Sequence, residues 1–322
     1  MSIKAMKKLS VAILFLPISV VFFISILASP SLAQSWSEGA AMPTARSEIT
    51  ATNIGDDIYV IGGFDGSGDV LDVVEIYNIK SNSWKSTAPL PELLHHTAAT
   101  SYDGKIYVIG GYISREWIPT NQLFIYDPVK NQWKEGKPMP TPRGALSALF
   151  VNGTLYATGG HDEAGNLNIN EAYDPNSNTW SSKTPMPTGR HHAASTTVDN
   201  KIFVIGGRTA GTSIVNVNVN EMYDTNTENW TAIESMPSKR SGIAVAAINN
   251  SLFIFGGEDV TRTFSNNEAY DTENGKWISL ESMPTPRHGL AAVSIDNRIF
   301  VIGGGPEPGL SASNVNEIYS IK

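Results

Sequence analysis

The sequence predicts an all-β fold built from six copies of one four-stranded antiparallel unit. Three features predict it, and each recurs every 47 to 50 residues. The first is a hairpin of two apolar, β-branched runs that ends in two glycines, which begin at Gly62, Gly110, Gly159, Gly206, Gly256 and Gly303. The second is a tryptophan, found at Trp36, Trp84, Trp133, Trp180, Trp230 and Trp277. The third is a short segment after each diglycine that carries Tyr77, Tyr126, Tyr173, Tyr223, Tyr270 or Tyr319.

The hairpin supplies the first two strands of each unit. In the sixth copy, residues 283–304 read MPTPRHGLAAVSIDNRIFVIGG, and two runs of strand length flank Asp296 and Asn297. Such residues can adopt the positive φ that a two-residue turn requires, and every copy has Asp, Asn or Gly at this place. The tyrosine segment gives the third strand and the tryptophan segment the fourth. Four short strands with a period near 50 residues indicate the blades of a β-propeller.

The two ends of the repeat array predict how the ring closes. The first tryptophan strand, residues 35–39, has no hairpin before it, and the chain stops after the sixth tyrosine strand. If the N-terminal strand becomes the outer strand of the last blade, six four-stranded blades close without a long unpaired edge. Because only short outer strands would then face solvent, we expect a monomer.

The diglycines, the E-x-Y-D segments and the spaced tryptophans resemble the kelch-repeat family. The resemblance covers residues 34–322, essentially the whole chain after its N-terminal segment, and it implies a six-bladed propeller. Kelch propellers include peptide-binding adaptors, extracellular modules, copper oxidases and sialic-acid epimerases, so the fold alone does not choose a function. The copper-oxidase branch is disfavoured, because its cofactor needs a tyrosine linked to a cysteine and this chain has no cysteine.

Residues 1–33 are predicted to be a secretory signal peptide, with the propeller domain at 34–322. Lys4, Lys7 and Lys8 precede an apolar run over residues 9–27, and small residues precede a predicted cleavage site after Ala33. The expected location is outside the cell, in the periplasm or in the cell envelope. The alternative is an uncleaved membrane anchor, because the apolar run approaches the length of a membrane helix.

The charge of the chain excludes some partners. The net charge is −8, and without the three N-terminal lysines 20 basic and 31 acidic residues remain, a net charge of −11. Such a surface repels nucleic acid and acidic membranes, so we expect no nucleic-acid partner and membrane contact only through an uncleaved N-terminal segment. The predicted partner is a protein or a glycan, and acidic ligands are included in this prediction. The sequence predicts no cofactor.

A recurring arginine opens the first strand of five blades, in the pattern M-P-x-x-R. One interpretation is a ring of guanidiniums at one mouth of the propeller that binds carboxylates or sulfates. The other is an ion pair within each blade, because the blade with Leu94 at the arginine position is also the one with Phe124 at the glutamate position. The arginines are Arg46, Arg143, Arg190, Arg240 and Arg287, and their candidate partners are Glu75, Glu171, Glu221, Glu268 and Glu317.

The same mouth, which we call the upper mouth, is predicted to hold all six histidines and the variable loops between second and third strands. The predicted ligand-binding residues besides the arginines are His95, His161, His191, His288, Trp117 and Tyr112. No metal site is predicted, although His161, His191 and His192 form the most plausible cluster. Acidic candidates for acid–base or calcium chemistry are Glu48, Asp65, Asp69, Asp162, Glu163, Glu258 and Asp259.

Two functions remain open on this sequence. The first is a propeller that binds a protein or glycan at the upper mouth without catalysis. The second is an enzyme similar to the kelch sialic-acid epimerases, in which an arginine would hold the sugar carboxylate and a carboxylate or histidine would move a proton. The family's catalytic residues cannot be placed on this sequence, so the enzyme is the second hypothesis and no catalytic residue is assigned.

Overall fold

The computed structural model describes residues 34–209 and 215–321, which form 28 β-strands and no helix. Six antiparallel sheets of four strands, the blades, lie in a ring. The predicted all-β propeller with six four-stranded blades is confirmed. The predicted signal peptide lies outside the described residues. Within those residues, no helix is long and apolar enough to cross a membrane.

The strands follow one another with the same order in each blade, from the inner strand outward. Strand β1 spans Gln34–Glu38. Blade 1 comprises β2 (Thr50–Ile54), β3 (Asp57–Ile61), β4 (Val74–Asn78) and β5 (Ser83–Ser86). Blade 2 comprises β6 (Ala98–Tyr102), β7 (Lys105–Ile109), β10 (Leu123–Asp127) and β11 (Gln132–Glu135), with a ribbon of β8 (Tyr112–Ile113) and β9 (Ile118–Pro119). Blade 3 comprises β12 (Ser147–Val151), β13 (Thr154–Thr158), β16 (Asn170–Asp174) and β17 (Thr179–Ser182), with a ribbon of β14 (His161–Asp162) and β15 (Gly165–Asn166).

The second half of the ring has the same plan. Blade 4 comprises β18 (Ala194–Val198), β19 (Lys201–Ile205), β20 (Asn220–Asp224) and β21 (Asn229–Ile233). Blade 5 comprises β22 (Ala244–Ile248), β23 (Ser251–Phe255), β24 (Asn267–Asp271) and β25 (Lys276–Ser279). Blade 6 comprises β26 (Ala291–Ile295), β27 (Arg298–Ile302), β28 (Asn316–Ile321) and the N-terminal strand β1.

Strand β1 closes the ring by pairing with β28, as the sequence predicts. The two strands are antiparallel, and Trp36 lies opposite Tyr319. The ring of Trp36 packs 4.9 Å from that of Tyr319, and its indole N–H donates to the carbonyl of Glu281 in the preceding blade at 3.3 Å. The other five repeated tryptophans pack on the tyrosine of their own blade in the same way. The terminal strands thus complete a blade of the same construction as the others.

The hydrophobic core is divided into six clusters, one at each junction of neighbouring blades. The cluster at the seam, for example, combines Ile58 and Val60 of blade 1 with Phe300 and Ile302 of blade 6. Each second strand presents one side chain face to the preceding blade and the other to the following one, because successive residues of a strand point in opposite directions. Both faces are therefore apolar, and no blade can bury its own hydrophobic surface alone.

The diglycines permit close contact between blades. Both glycines have a positive φ in all six copies, which L-residues with a side chain rarely adopt. The second glycine donates its N–H to the carbonyl at the arginine position of the next blade, as Gly304 does to Arg46 at 2.8 Å. A Cβ on Gly256 would lie 2.3 Å from the carbonyl oxygen of Arg287. These glycines are required because the backbone of the neighbouring blade occupies the space of a side chain.

The turn between the first two strands matches the prediction only in part. Its first residue has a positive φ in all six copies, at Gly55, Asp103, Asn152, Asp199, Asn249 and Asp296. The second residue has one only at Gly104 and Gly153. Two of the six turns therefore have the conformation in which both central residues have a positive φ.

Candidate functional site

The five repeated arginines are buried inside the blades. Their side chains are fully buried, and each forms an ion pair with the glutamate of the same blade. The nitrogen–oxygen distance is 2.8 Å for Arg46 and Glu75, and 2.7 Å for Arg143 and Glu171. The ion-pair interpretation of the sequence is confirmed. The pairs are Arg46–Glu75, Arg143–Glu171, Arg190–Glu221, Arg240–Glu268 and Arg287–Glu317.

The arginines reach the glutamates by passing over the diglycine. Arg46 donates to the carbonyl of Gly62 at 2.9 Å, and Arg190 donates to that of Gly206 at the same distance. Each guanidinium therefore joins the first, second and third strands of one blade. Because these groups are buried and already hydrogen-bonded, they do not line the pocket described below, and we correct the interpretation of them as a ligand-binding ring.

Six residues, one in each blade and two positions after the arginine position, form a ring around the propeller axis. All six residues have a positive φ between 51° and 63°. Backbone hydrogen bonds connect successive members from blade to blade, for instance from His96 N–H to Glu48 O at 3.1 Å and from His192 N–H to Ala145 O at 3.2 Å. We call these residues the axial ring: Glu48, His96, Ala145, His192, Gly242 and Gly289.

A pocket of about 480 Å³ lies at the upper mouth, above the axial ring. Its volume is within the range of small-molecule sites. The floor is formed by Glu48, His96 and His192 of the axial ring, and His288 lies beside them. The remaining walls are formed by Phe64, Tyr112, Trp117, His161, Asp162, Glu163, His191, Arg208, Glu258, Gly309 and Leu310.

The structure separates the predicted histidines. His161, His191 and His288 line the pocket, as do His96 and His192, whereas His95 does not. His95 instead supports the pocket from behind, with Nδ1 2.6 Å from Nδ1 of His96. In each His-His pair the second histidine is the axial-ring residue. Its left-handed backbone turns its side chain toward the axis.

Glu48 is the carboxylate of the pocket floor, and it contacts two histidines. Its two carboxylate oxygens lie 3.0 Å from Nε2 of His96 and 3.2 Å from Nδ1 of His288. Although burial acts to raise the pKa of Glu48, His96 and His288 hold that pKa well below its ordinary value. The carboxylate is therefore ionised at neutral pH.

His288 is the cationic partner of this carboxylate. Its Nδ1 faces Glu48 and also lies 3.7 Å from a carboxylate oxygen of Glu258, while its Nε2 lies 3.0 Å from the carbonyl of Glu307. Burial acts to lower the pKa of His288, but these contacts raise it above its ordinary value. Both ring nitrogens face oxygen acceptors, so the imidazolium form satisfies both of them.

Trp117 and Tyr112, which the sequence analysis predicts as ligand-binding residues, form an aromatic wall of the pocket. Trp117 lies in the turn between β8 and β9 with a φ of 58°, and its ring packs 5.1 Å from Tyr112 and 4.6 Å from His96. It also lies 6.1 Å from Phe64 of blade 1. Even so, 42% of its surface is exposed. The indole is held in place by its neighbours, and the residue is partly exposed where it lines the pocket.

Sequence reasoning did not identify Arg208, Phe64 and Leu310 as pocket residues. Arg208 lies 3.3 Å from Glu258 and is largely buried beside the cavity. A signal was present, because the residue directly after the diglycine lines the pocket in five blades. These residues are Phe64, Tyr112, His161, Arg208 and Glu258.

The acidic candidates divide into two groups. Glu48, Asp162, Glu163 and Glu258 line the pocket. Asp65, Asp69 and Asp259 do not, because they are engaged within their own loops or with a neighbouring one: Asp65 accepts from Ser67, Asp69 pairs with Arg115, and Asp259 accepts from Thr261. Only the first group is positioned for chemistry in the cavity.

Comparison with known proteins supports the repeat pattern seen in the fold. The chain matches a family model described as the KLHDC2/KLHL20/DRC7 Kelch-repeats domain over residues 32–207 and 182–322. No curated protein matches the chain. A solved structure of YjhT has a TM-score of 0.76 over 87% of this chain and 96% of that chain, at 18% sequence identity, and this likeness shows the fold alone. Because the family model covers nearly all of the propeller, the chain belongs to the kelch-repeat family.

Proposed function

We propose that this chain is a secreted or envelope-associated kelch propeller that binds a glycan, without catalysis, in the pocket at its upper mouth. The observation that carries the proposal is the exposed face of Trp117 beside a concave cavity of about 480 Å³. A sugar presents an apolar face that packs on an indole and hydroxyl groups that hydrogen-bond to carboxylates and imidazoles. Asp162, Glu163 and His161 supply such polar groups around the same cavity.

The pocket favours a glycan over a protein ligand for two reasons. A stable protein interface buries about 800 Å² on each partner, usually on a rather flat surface, whereas this site is a concave cavity. The arginine side chains that would attract acidic peptides are buried in ion pairs within the blades. Arg208, the arginine that does line the cavity, is paired with Glu258.

The test is a glycan array followed by calorimetry on the glycans that bind. We expect Trp117→Ala to weaken binding at least tenfold, which corresponds to about 1.4 kcal/mol of binding free energy. Tyr102→Ala is the matched control, because Tyr102 is also exposed but stacks on Phe150 at the turn end of the inner strands, away from the pocket. Equal affinity of the two variants, or the absence of any bound glycan, would refute the proposal.

A second candidate is an epimerase acting on an acidic sugar, favoured by one observation. The Glu48 carboxylate and the His288 imidazolium lie side by side in the pocket, so a base and an acid are available within 3.2 Å of each other. An NMR measurement of anomer exchange on N-acetylneuraminate tests this reaction directly. Exchange no faster than in buffer would eliminate the enzyme and leave the binding function as the proposal.

A further inference from the structure

Three side chains of the axial ring converge at the bottom of the pocket. Glu48, His96 and His192 each present one metal-binding atom, and these atoms all lie within 4.8 Å of one another. The other three ring positions carry Ala145, Gly242 and Gly289, whose small or absent side chains leave space at the propeller axis. A Cβ on Gly289 would lie 2.5 Å from Oε1 of Glu48, so the absence of a side chain there is needed for this arrangement.

One ligand atom of the cluster lacks a hydrogen-bond partner. Among the described residues, Nε2 of His192 is buried and accepts or donates no hydrogen bond, and the residue is only 7% exposed. A buried polar atom without a hydrogen-bond partner destabilises a protein, and a bound metal ion would satisfy this one.

The histidines outside the cluster orient the ones inside it. Nε2 of His95 lies 3.1 Å from the carbonyl of Ser114 and donates to it, so Nδ1 of His95 accepts the N–H of His96 at 2.6 Å. That contact leaves Nε2 of His96 directed at Glu48, 3.0 Å away, where a metal ion bound between the two atoms would replace the proton that they share. His191 and His192 repeat the same contact between Nδ1 atoms at 2.6 Å. Metal-binding histidines are held by their second nitrogen in this manner.

We propose that Glu48, His96 and His192 bind a divalent transition-metal ion such as Zn²⁺, with the remaining coordination positions open to the pocket. Imidazole nitrogens combined with a carboxylate suit zinc and its neighbours better than calcium or magnesium. Ligands of one tetrahedral zinc ion lie about 3.4 Å apart, given bonds of about 2.1 Å. The ligand atoms, which lie within 4.8 Å of one another, therefore need to approach by up to about 1.4 Å. His288 holds the second oxygen of Glu48 and fixes the orientation of that carboxylate.

The experiment uses the purified chain without a polyhistidine tag, stripped of metal with a chelator. Titration with Zn²⁺ in a calorimeter should show one equivalent bound, and Co²⁺ should give the visible absorption of a site with nitrogen and oxygen ligands. We expect His192→Ala to lower the Zn²⁺ affinity at least tenfold, because loss of an outer-shell partner alone costs 10- to 100-fold in typical sites. Glu48→Gln should have a similar effect.

The matched control is His161→Ala, which removes a histidine from the wall of the same pocket but not from the cluster. It should keep the affinity of the unaltered chain. If Glu48→Gln fails to fold, His192→Ala and X-ray absorption on the unaltered chain decide, since two imidazoles are expected in the first coordination sphere. Absence of stoichiometric Zn²⁺ binding, or equal losses in His161→Ala and His192→Ala, would overturn the proposal. This result does not depend on glycan binding, which is measured separately.

Discussion

Replacing Arg143 alone should destabilise the chain far more than replacing its whole ion pair. Arg143 donates to Glu171 at 2.7 Å and to the carbonyl of Ala157 at 3.0 Å. In blade 2 the corresponding positions hold Leu94 and Phe124, which are 1% and 2% exposed and belong to one hydrophobic cluster. The protein thus already contains an apolar version of the pair, which makes Arg143→Leu with Glu171→Phe a natural double substitution.

The magnitude follows from burial. Arg143→Leu leaves the Glu171 carboxylate buried without its cation, and removing one partner of a buried pair destabilises by about 3–5 kcal/mol. Glu171→Phe should destabilise by a similar amount for the converse reason. In the double variant both charges disappear, and the losses are the arginine donors to the carbonyls of Ala157 and Thr141 and the glutamate acceptor of the Thr141 hydroxyl, about 1 kcal/mol each, partly offset by apolar burial. We therefore expect a coupling energy of at least about 3 kcal/mol.

The assay is urea denaturation of the four proteins of this cycle, followed by tryptophan fluorescence. The double variant should unfold at a higher urea concentration than either single variant, with an unchanged slope in all four. If the losses in unfolding free energy of the two single variants add up to that of the double variant within about 0.5 kcal/mol, the two residues act independently. That result would refute the assignment of the arginines to blade structure and would reopen their role as ligand-binding groups.

Two further predictions concern the ring and its glycines. Trp36→Ala should lower the free energy of unfolding by about 3 kcal/mol, the low end for tryptophan because Trp36 is only half-buried, since it removes the packing on Tyr319 that closes the ring. An unchanged urea midpoint would contradict this. Gly256→Ala should lower the melting temperature much more than Gly104→Ala. Both residues have a positive φ. A Cβ at Gly256 would lie 2.3 Å from the Arg287 carbonyl oxygen, whereas a Cβ at Gly104 would have no atom within 4 Å. Equal losses would mean that backbone strain alone decides.

The architecture was predictable because it is repeated. Six copies of the diglycine, tyrosine and tryptophan fix the strands, and the unmatched strand with Trp36 predicts closure with the last blade. The arginine–glutamate pairs were also visible, since both members are replaced in the same blade, by Leu94 and Phe124. Motifs that repeat, and paired positions that are replaced in the same repeat, can be interpreted from the sequence without three-dimensional information.

The floor of the pocket was less accessible to sequence reasoning. Which of two adjacent histidines faces the axis depends on a left-handed backbone conformation at the second, and although histidine is enriched in that conformation, the residue type does not say which member of the pair adopts it. Gly242 and Gly289 at the same position in two other blades were the available signal, since glycine is frequent where φ is positive. Convergence of three blades on one point also depends on the ring dimensions, which the sequence does not state.

The buried ion pairs and the candidate site are physically connected through the backbone. Each arginine fixes the start of an inner strand against the second and third strands of its blade, and the axial-ring residue lies only two positions further on. Glu48 is therefore placed by Arg46, and His192 by Arg190, before any ligand arrives. A charge buried within the blade thus positions a side chain at the axis, which would reduce the entropy lost if that side chain binds the proposed metal ion or glycan.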